Sequence, residues 1–161
     1  VTTFVGNIKM SADKGIQFSP YDEAVSSPGS DSNTLDDYEE GSWTPTSGVS
    51  LTTARGTYVK IGTLVYAAGT IEFPSSSSNA HAGFTLPFAA RGVSNNNDVD
   101  PRTGGMFIRY TTITNGHLIR GHVNTGNSDI SLYSANGGST FSYTNVSTGR
   151  LDFNVIYQVN V

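Results

Sequence analysis

His81, His117 and His122 are the only histidines of the chain, and Glu72, Asp98, Asp100, Asp129 and Asp152 are the only carboxylate side chains after residue 42. Any hydrolytic or metal chemistry in the larger, C-terminal part has to be assembled from these two sets. Glycoside hydrolysis needs two carboxyl groups held a few ångströms apart across a groove. No two of the five form a recognisable spaced motif, and Asp98 and Asp100 share a loop with Asn95, Asn96 and Asn97, where solvation accounts for them. His117 and His122 are five apart, which on one strand puts them on opposite faces and not on one metal. No Gly-x-Ser-x-Gly run offers a nucleophile elbow. Catalytic residues, a resident metal and a cofactor are therefore not expected, and the chain reads as a protein that binds.

Binding asks for less. Aromatic faces, amides and hydroxyls suffice to recognise carbohydrate, and most of the tyrosines lie after residue 42 among many Asn and Ser residues. Period-two alternation turns Ile130 and Leu132 inward and Tyr133 outward, and sets Arg109 opposite Met106, Ile108 and Tyr110. Arg109, Asn115, His117 and Tyr133 are the candidate ligand-contact residues. Each also has a plain structural reading: a subunit interface for Arg109 and Tyr133, a turn for Asn115, simple exposure for His117. Trp43, the sole tryptophan, would serve as a sugar platform or, beside the acidic run that precedes it, as a packing residue; its position favours packing.

The elements that carry these residues are short strands. Of 161 residues, 36% are apolar and only 14% charged, with 18 glycines; this is a strand-and-turn composition, enough for one domain and an appendage. There is no cysteine, so stability has to come from packing or assembly. No stretch approaches the roughly 20 apolar residues of a membrane-spanning helix, and membrane insertion is not expected. Gly56 to Ile61 turns at Gly62-Thr63 into Leu64 to Ile71, which is apolar on both faces and belongs in the middle of a sheet. Gly105 to Ile113 is expected to pair with His117 to Val123 as a hairpin through Asn115-Gly116, and Asn136-Gly137 to make a second such turn between Asp129 to Ser134 and Thr140 to Tyr143. In the closing strand Leu151, Phe153, Val155, Tyr157, Val159 and Val161 share one face; Asp152, Asn154, Gln158 and Asn160 share the other, with Ile156 as an exception. The whole predicts an all-β, antiparallel sandwich of jelly-roll type.

Charge divides the chain at residue 42. Residues 1–42 carry eight acids against two lysines, residues 43–161 five acids against seven bases. With the bases scattered singly, a nucleic-acid footprint is not expected. The acidic stretch either is a solvated linker or docks on arginines. Gly6 to Ser11 is echoed by Gly15 to Ser19, a repeat too small to bury a core by itself, which is either wound with other chains or an ordinary hairpin pairing with the head. Thr34 is expected to cap a helical turn closed by Gly41, with Leu35 and Tyr38 inward. Residues 1–42 thus read as a shaft end and acidic neck, residues 43–161 as a β-sandwich head. Because the chain starts at Val1, inside an alternating pattern, a piece of something longer is expected.

The neck Leu35-Asp36-Asp37-Tyr38-Glu39-Glu40-Gly41-Ser42-Trp43-Thr44-Pro45, with Gly56 to Val65 and Leu86-Pro87-Phe88 after it, resembles the C-terminal region of bacteriophage tail fibre proteins. Gly15 to Ser19 is similar to the shaft end that precedes such a neck. The likeness covers roughly residues 6–88, and Ser42 stands where Thr is usual. It implies a homotrimeric receptor-binding tip on a virion, extracellular and joined to an upstream fibre shaft, that recognises a host cell-surface glycan or protein. On this reading Leu35, Tyr38 and Trp43 form the trimer neck. No receptor residue carries over from the motif. The alternatives are a structural trimerisation or capping module of the fibre and, third, a fragment of a polysaccharide-degrading tailspike.

Overall fold

The computed structural model describes residues 16–17, 34–35, 38–92, 104–114, 116, 119–136 and 138–160. Asn115, His117, the acids Asp36 and Asp37, the Gly6 to Ser11 repeat and the loop acids Asp98 and Asp100 lie outside them. The described chain is all-β, with every strand pairing antiparallel and no α-helix.

Among the described residues ten strands make three sheets. β1 (Ile16–Gln17) pairs with β2 (Thr34–Leu35). β3 (Tyr38–Trp43), β4 (Thr53–Ile61), β5 (Leu64–Glu72), β7 (Gly104–Thr111) and β10 (Arg150–Gln158) form a five-stranded sheet in the order β3-β4-β5-β10-β7. β6 (Gly83–Thr85), β8 (Ile119–Val123) and β9 (Asp129–Ser134) form a three-stranded sheet in the order β6-β9-β8. The β4–β5 hairpin is the simplest consequence of sequence: Ile61 pairs with Leu64 across Gly62-Thr63, and Gly62 takes φ +56°, open to a residue without a Cβ.

One core joins the two larger sheets. From the five-stranded side come Val65, Ala67, Ile71, Leu151, Phe153, Val155 and Tyr157; from the three-stranded side come Phe84, Ile119, Val123, Ile130 and Leu132. The Phe84 and Phe153 rings meet at 4.5 Å between the sheets. The Tyr157 hydroxyl donates to the Phe88 carbonyl and accepts from its N–H, both at 3.2 Å, so the one polar atom of this buried ring is satisfied, and burial pushes its pKa well up.

Two local expectations are corrected. Instead of a capped helical turn, Tyr38–Trp43 is a strand, paired residue for residue with Ile61 to Gly56; six ladder positions and a seat for Trp43 outweigh the capping signal of Thr34. Tyr38 consequently faces outward and is 58% exposed. Second, β7 and β8 are not a hairpin: β7 pairs with β10, β8 with β9. Ile113 is buried where the chain crosses from one sheet to the other, so both strands deliver their apolar residues to the shared core. The segments on either side of Asn136-Gly137 do pair, since Tyr133 bridges to Thr140 and Phe141 N–H donates to Leu132 O at 2.9 Å; Gly137 itself lies outside the described residues.

Candidate functional site

Registers across the five-stranded sheet line up the outward side chains in rows. The first row is Tyr38, Ile61, Leu64 and Gln158. The second is Glu40, Val59, Tyr66 and Ile156. A third, of short side chains, runs Ser42, Thr57, Ala68 and Asn154 and ends at the larger Phe107. The fourth is Arg55, Thr70, Asp152 and Tyr110, and the fifth is Thr53, Glu72 and Arg150. The first two rows are mostly apolar and exposed, and Phe107 is 65% exposed. Along the third row the low side chains leave a groove of about 630 Å³, walled by Tyr66 on one side and by Arg55 and Arg109 on the other.

A β-bulge sets the cationic wall. Phe153 pairs with Ile108 but Asp152 with Tyr110, so Arg109 is the extra residue and both Arg109 and Tyr110 turn outward. The Asp152 carboxylate collects the local cations: Arg150 Nε donates at 2.9 Å and Nη2 at 3.1 Å, and Arg109 Nη2 donates at 3.2 Å. These leave the Asp152 side chain 6% exposed while Arg109 stays 73% exposed. Hydrogen bonds from Arg150 hold the Asp152 carboxyl below its ordinary pKa against the opposing effect of burial, helped by Thr70 and by the charges of Arg150 and Arg109. The same bonds raise the pKa of Arg150, whose guanidinium lies 5.8 Å from the Tyr110 ring centroid and 4.0 Å from Glu72. Arg55 has no ion pair among the described residues.

The neck acids that are described meet tyrosines and not arginines. Tyr58 hydroxyl donates to Glu39 at 2.6 Å and Tyr38 hydroxyl to Glu40 at 2.9 Å, and each bond raises its tyrosine's pKa. Trp43 lies on the inward side, over Gly56, and its indole N–H donates to Thr85 O at 3.2 Å. Gly56 is required there, because a Cβ would come within 2.2 Å of the tryptophan ring.

Tyr133 belongs to a different surface. It projects from the outward side of the three-stranded sheet, with His81 at 4.8 Å and His122 at 5.7 Å between ring centroids. His81 Nε2 lies 2.8 Å from Leu132 O, which fixes its ring against the backbone. Arg109 and Tyr133 are thus not brought together: each stands on a sheet face turned away from the shared core. Sequence reasoning reached Arg109 but missed Arg55, Tyr66, Asn154 and the buried state of Asp152. The pairing of Thr57 with Ala68 in the legible β4–β5 hairpin would have placed the first two beside the groove; nothing in the sequence announced the bulge. No protein-family model, curated protein or solved structure matches the chain. Among the described residues no helix is long and apolar enough to cross a membrane.

Proposed function

We propose that the chain is the receptor-binding tip of a virion tail fibre, a homotrimer of jelly-roll-like sandwich heads that recognises a host cell-surface structure. The observation that carries this reading is the outward face of the five-stranded sheet. Monomeric proteins rarely expose a contiguous apolar patch larger than a few hundred Å², and here Tyr38, Ile61, Leu64, Tyr66, Ile156 and Phe107 are all exposed on one face. The row nearest the acidic segment, with Tyr38, Ile61 and Leu64, suits contact between copies, with Leu35 as the other neck residue there; Trp43 serves the neck from the inward side, by seating β3 over Gly56. The groove two rows away, with its arginines and tyrosine, suits contact with a ligand. Avidity from three heads would raise weak single contacts to firm attachment.

The second reading, a structural trimerisation or capping module, draws on the same apolar row, which alone would suffice for assembly. A polysaccharide-degrading tailspike ranks below both. Glu72 and Asp152 both face Arg150, and the lowered pKa of Asp152 is the reverse of what a general acid needs.

Light scattering of the full chain, with attachment of fluorescent protein to a panel of bacteria, tests the reading. A mass three times 17.1 kDa with saturable attachment to some of the strains is the expected result. A trimer that attaches to none favours the structural module, a folded monomer overturns both, and release of reducing sugar from surface polysaccharide promotes the tailspike.

A further inference from the structure

We propose that the groove along the third row binds an acidic glycan, a sugar polymer bearing carboxylate groups, with Arg55 and Arg109 as the carboxylate clamp and Tyr66 as the sugar platform. This rests on the receptor-binding reading and adds to it the ligand class and the residues.

The shape comes first. Ser42, Thr57, Ala68 and Asn154 are consecutive register partners, so the floor crosses four neighbouring strands and spans about 14 Å at the usual strand spacing. It runs to the β3 edge of the sheet at one end and meets exposed Phe107 at the other. An extended chain of a few sugar rings lies in such a trough; a compact metabolite would leave most of it empty.

The two walls are chemically unlike, and that selects the ligand. On one side Val59, Tyr66 and Ile156 present apolar and aromatic surface; on the other stand two guanidinium groups. A pyranose ring carries an apolar C–H face, which packs on an aromatic ring, and an acidic sugar adds a carboxylate at its edge, which matches the planar fork of arginine. The hydroxyls of Ser42 and Thr57 and the amide of Asn154 supply partners for sugar hydroxyls between the walls.

The cations are placed for this. Asp152 holds Arg109 through one nitrogen only, Nη2, and no other described residue takes the remaining guanidinium donors, which suits them to a ligand. The bulge aims that guanidinium outward, and the hold on Asp152 is shared with Arg150. Among the described residues of the fourth and fifth rows and the bulge, Arg55, Arg109 and Arg150 stand against Glu72 and Asp152, a surplus of one positive charge. Glu40, at the β3 end of the apolar wall, is engaged by the Tyr38 hydroxyl. A surplus this small suits one or two carboxylates and falls short of a phosphate backbone, which takes a run of basic residues.

The test titrates the full chain with a short oligogalacturonate and, separately, with its methyl ester, which keeps the sugar backbone and removes the charge. The acid form should bind and the ester bind at least about tenfold more weakly, the loss expected when a charge-assisted hydrogen bond is removed. Arg55→Gln and Arg109→Gln should each weaken the acid form by about the same factor, and Tyr66→Ser should weaken both forms. Arg120→Gln makes the same charge change on the three-stranded sheet and should leave binding as it was; thermal unfolding confirms that each variant is folded. No binding of oligogalacturonate, equal binding of acid and ester, or an Arg120→Gln loss as large as that of Arg55→Gln overturns the proposal. Attachment to bacteria, read in parallel, separates the two levels. Cells bound equally well by wild type and Arg55→Gln leave the receptor reading standing without this groove, and oligogalacturonate binding by a chain that attaches to no cell does the reverse.

Discussion

The two faces of the five-stranded sheet are built from the same strands and follow different rules. In β5 the inward Val65, Ala67 and Ile71 are fully buried, while the outward Leu64 and Tyr66, no less apolar, are each nearly half exposed. In β10 the inward Leu151, Phe153, Val155 and Tyr157 are sealed, and on the outward side it is the charged Asp152 that is buried and the apolar Ile156 that is open. The inward face is explained by this chain alone, through burial of apolar area. The outward face inverts that logic, because its charge is covered by arginines and its hydrocarbon is left in water. On the proposed reading, an arrangement that does not serve the chain's own fold serves a partner.

The contrast breaks most visibly at Phe153. It is 1% exposed and meets Phe84 across the core, so Phe153→Ala should cost about 3–5 kcal/mol, measured by urea unfolding. A loss below about 0.5 kcal/mol, the range of surface changes, would show that the two faces are not as unlike as their burial indicates. Next in size is Gly56→Ala. The added methyl would displace the Trp43 ring at a cost of about 1–3 kcal/mol, with a shift in tryptophan emission to report the movement. Unchanged emission with unchanged stability would mean that Trp43 does not pin β3 to the core.

Asp152→Asn sharpens the comparison on the outward side. The arginines that hold Asp152 remain open to water, and screening limits the loss to about 1 kcal/mol or less. Its dependence on pH is the diagnostic part. The folded-state pKa lies below the ordinary 3.8, so the unfolded chain takes up this proton first as pH falls. The wild-type advantage should be complete above about pH 5 and vanish as pH drops through the folded-state value. Urea midpoints of wild type and variant should therefore converge in acid; a gap that stays constant would assign the effect to shape and not to charge.

How much of this was legible follows from which signals are local. The inward set of β10 and the β4–β5 hairpin were readable because alternation and a Gly-led two-residue turn act within a few residues. Apolar residues on both faces of β5 gave its central place in the sheet, between β4 and β10, but could not say that one face would stay open. Thr34 gave a sound local capping signal that lost to a long-range ladder between β3 and β4. Asn115-Gly116 spoke for a tight turn and could not say that β7 and β8 join different sheets. The groove was hidden for the same reason: a period-two reading has no place for the extra residue at Arg109, and it turns Asp152 to solvent without showing the arginines that cover it. Asn115 and His117, taken from turn and exposure arguments, lie outside the described residues.

The smallest expected effect on folding is at Leu64 and Tyr66, and it bears most on the comparison. Each stands on the open face with nearly half its surface in water, so Leu64→Ser and Tyr66→Ser should change the unfolding free energy of the dissociated chain by no more than about 0.5 kcal/mol. If the first row is the contact between copies, Leu64→Ser should nevertheless lower the mass seen by light scattering at a given concentration, because there the apolar area is buried only on assembly. Tyr66→Ser, one row nearer the groove, should leave the mass alone and weaken ligand binding. Opposite responses of two residues two positions apart on one strand would divide the outward face into an assembly row and a binding row. Identical responses would make it a single surface with a single partner.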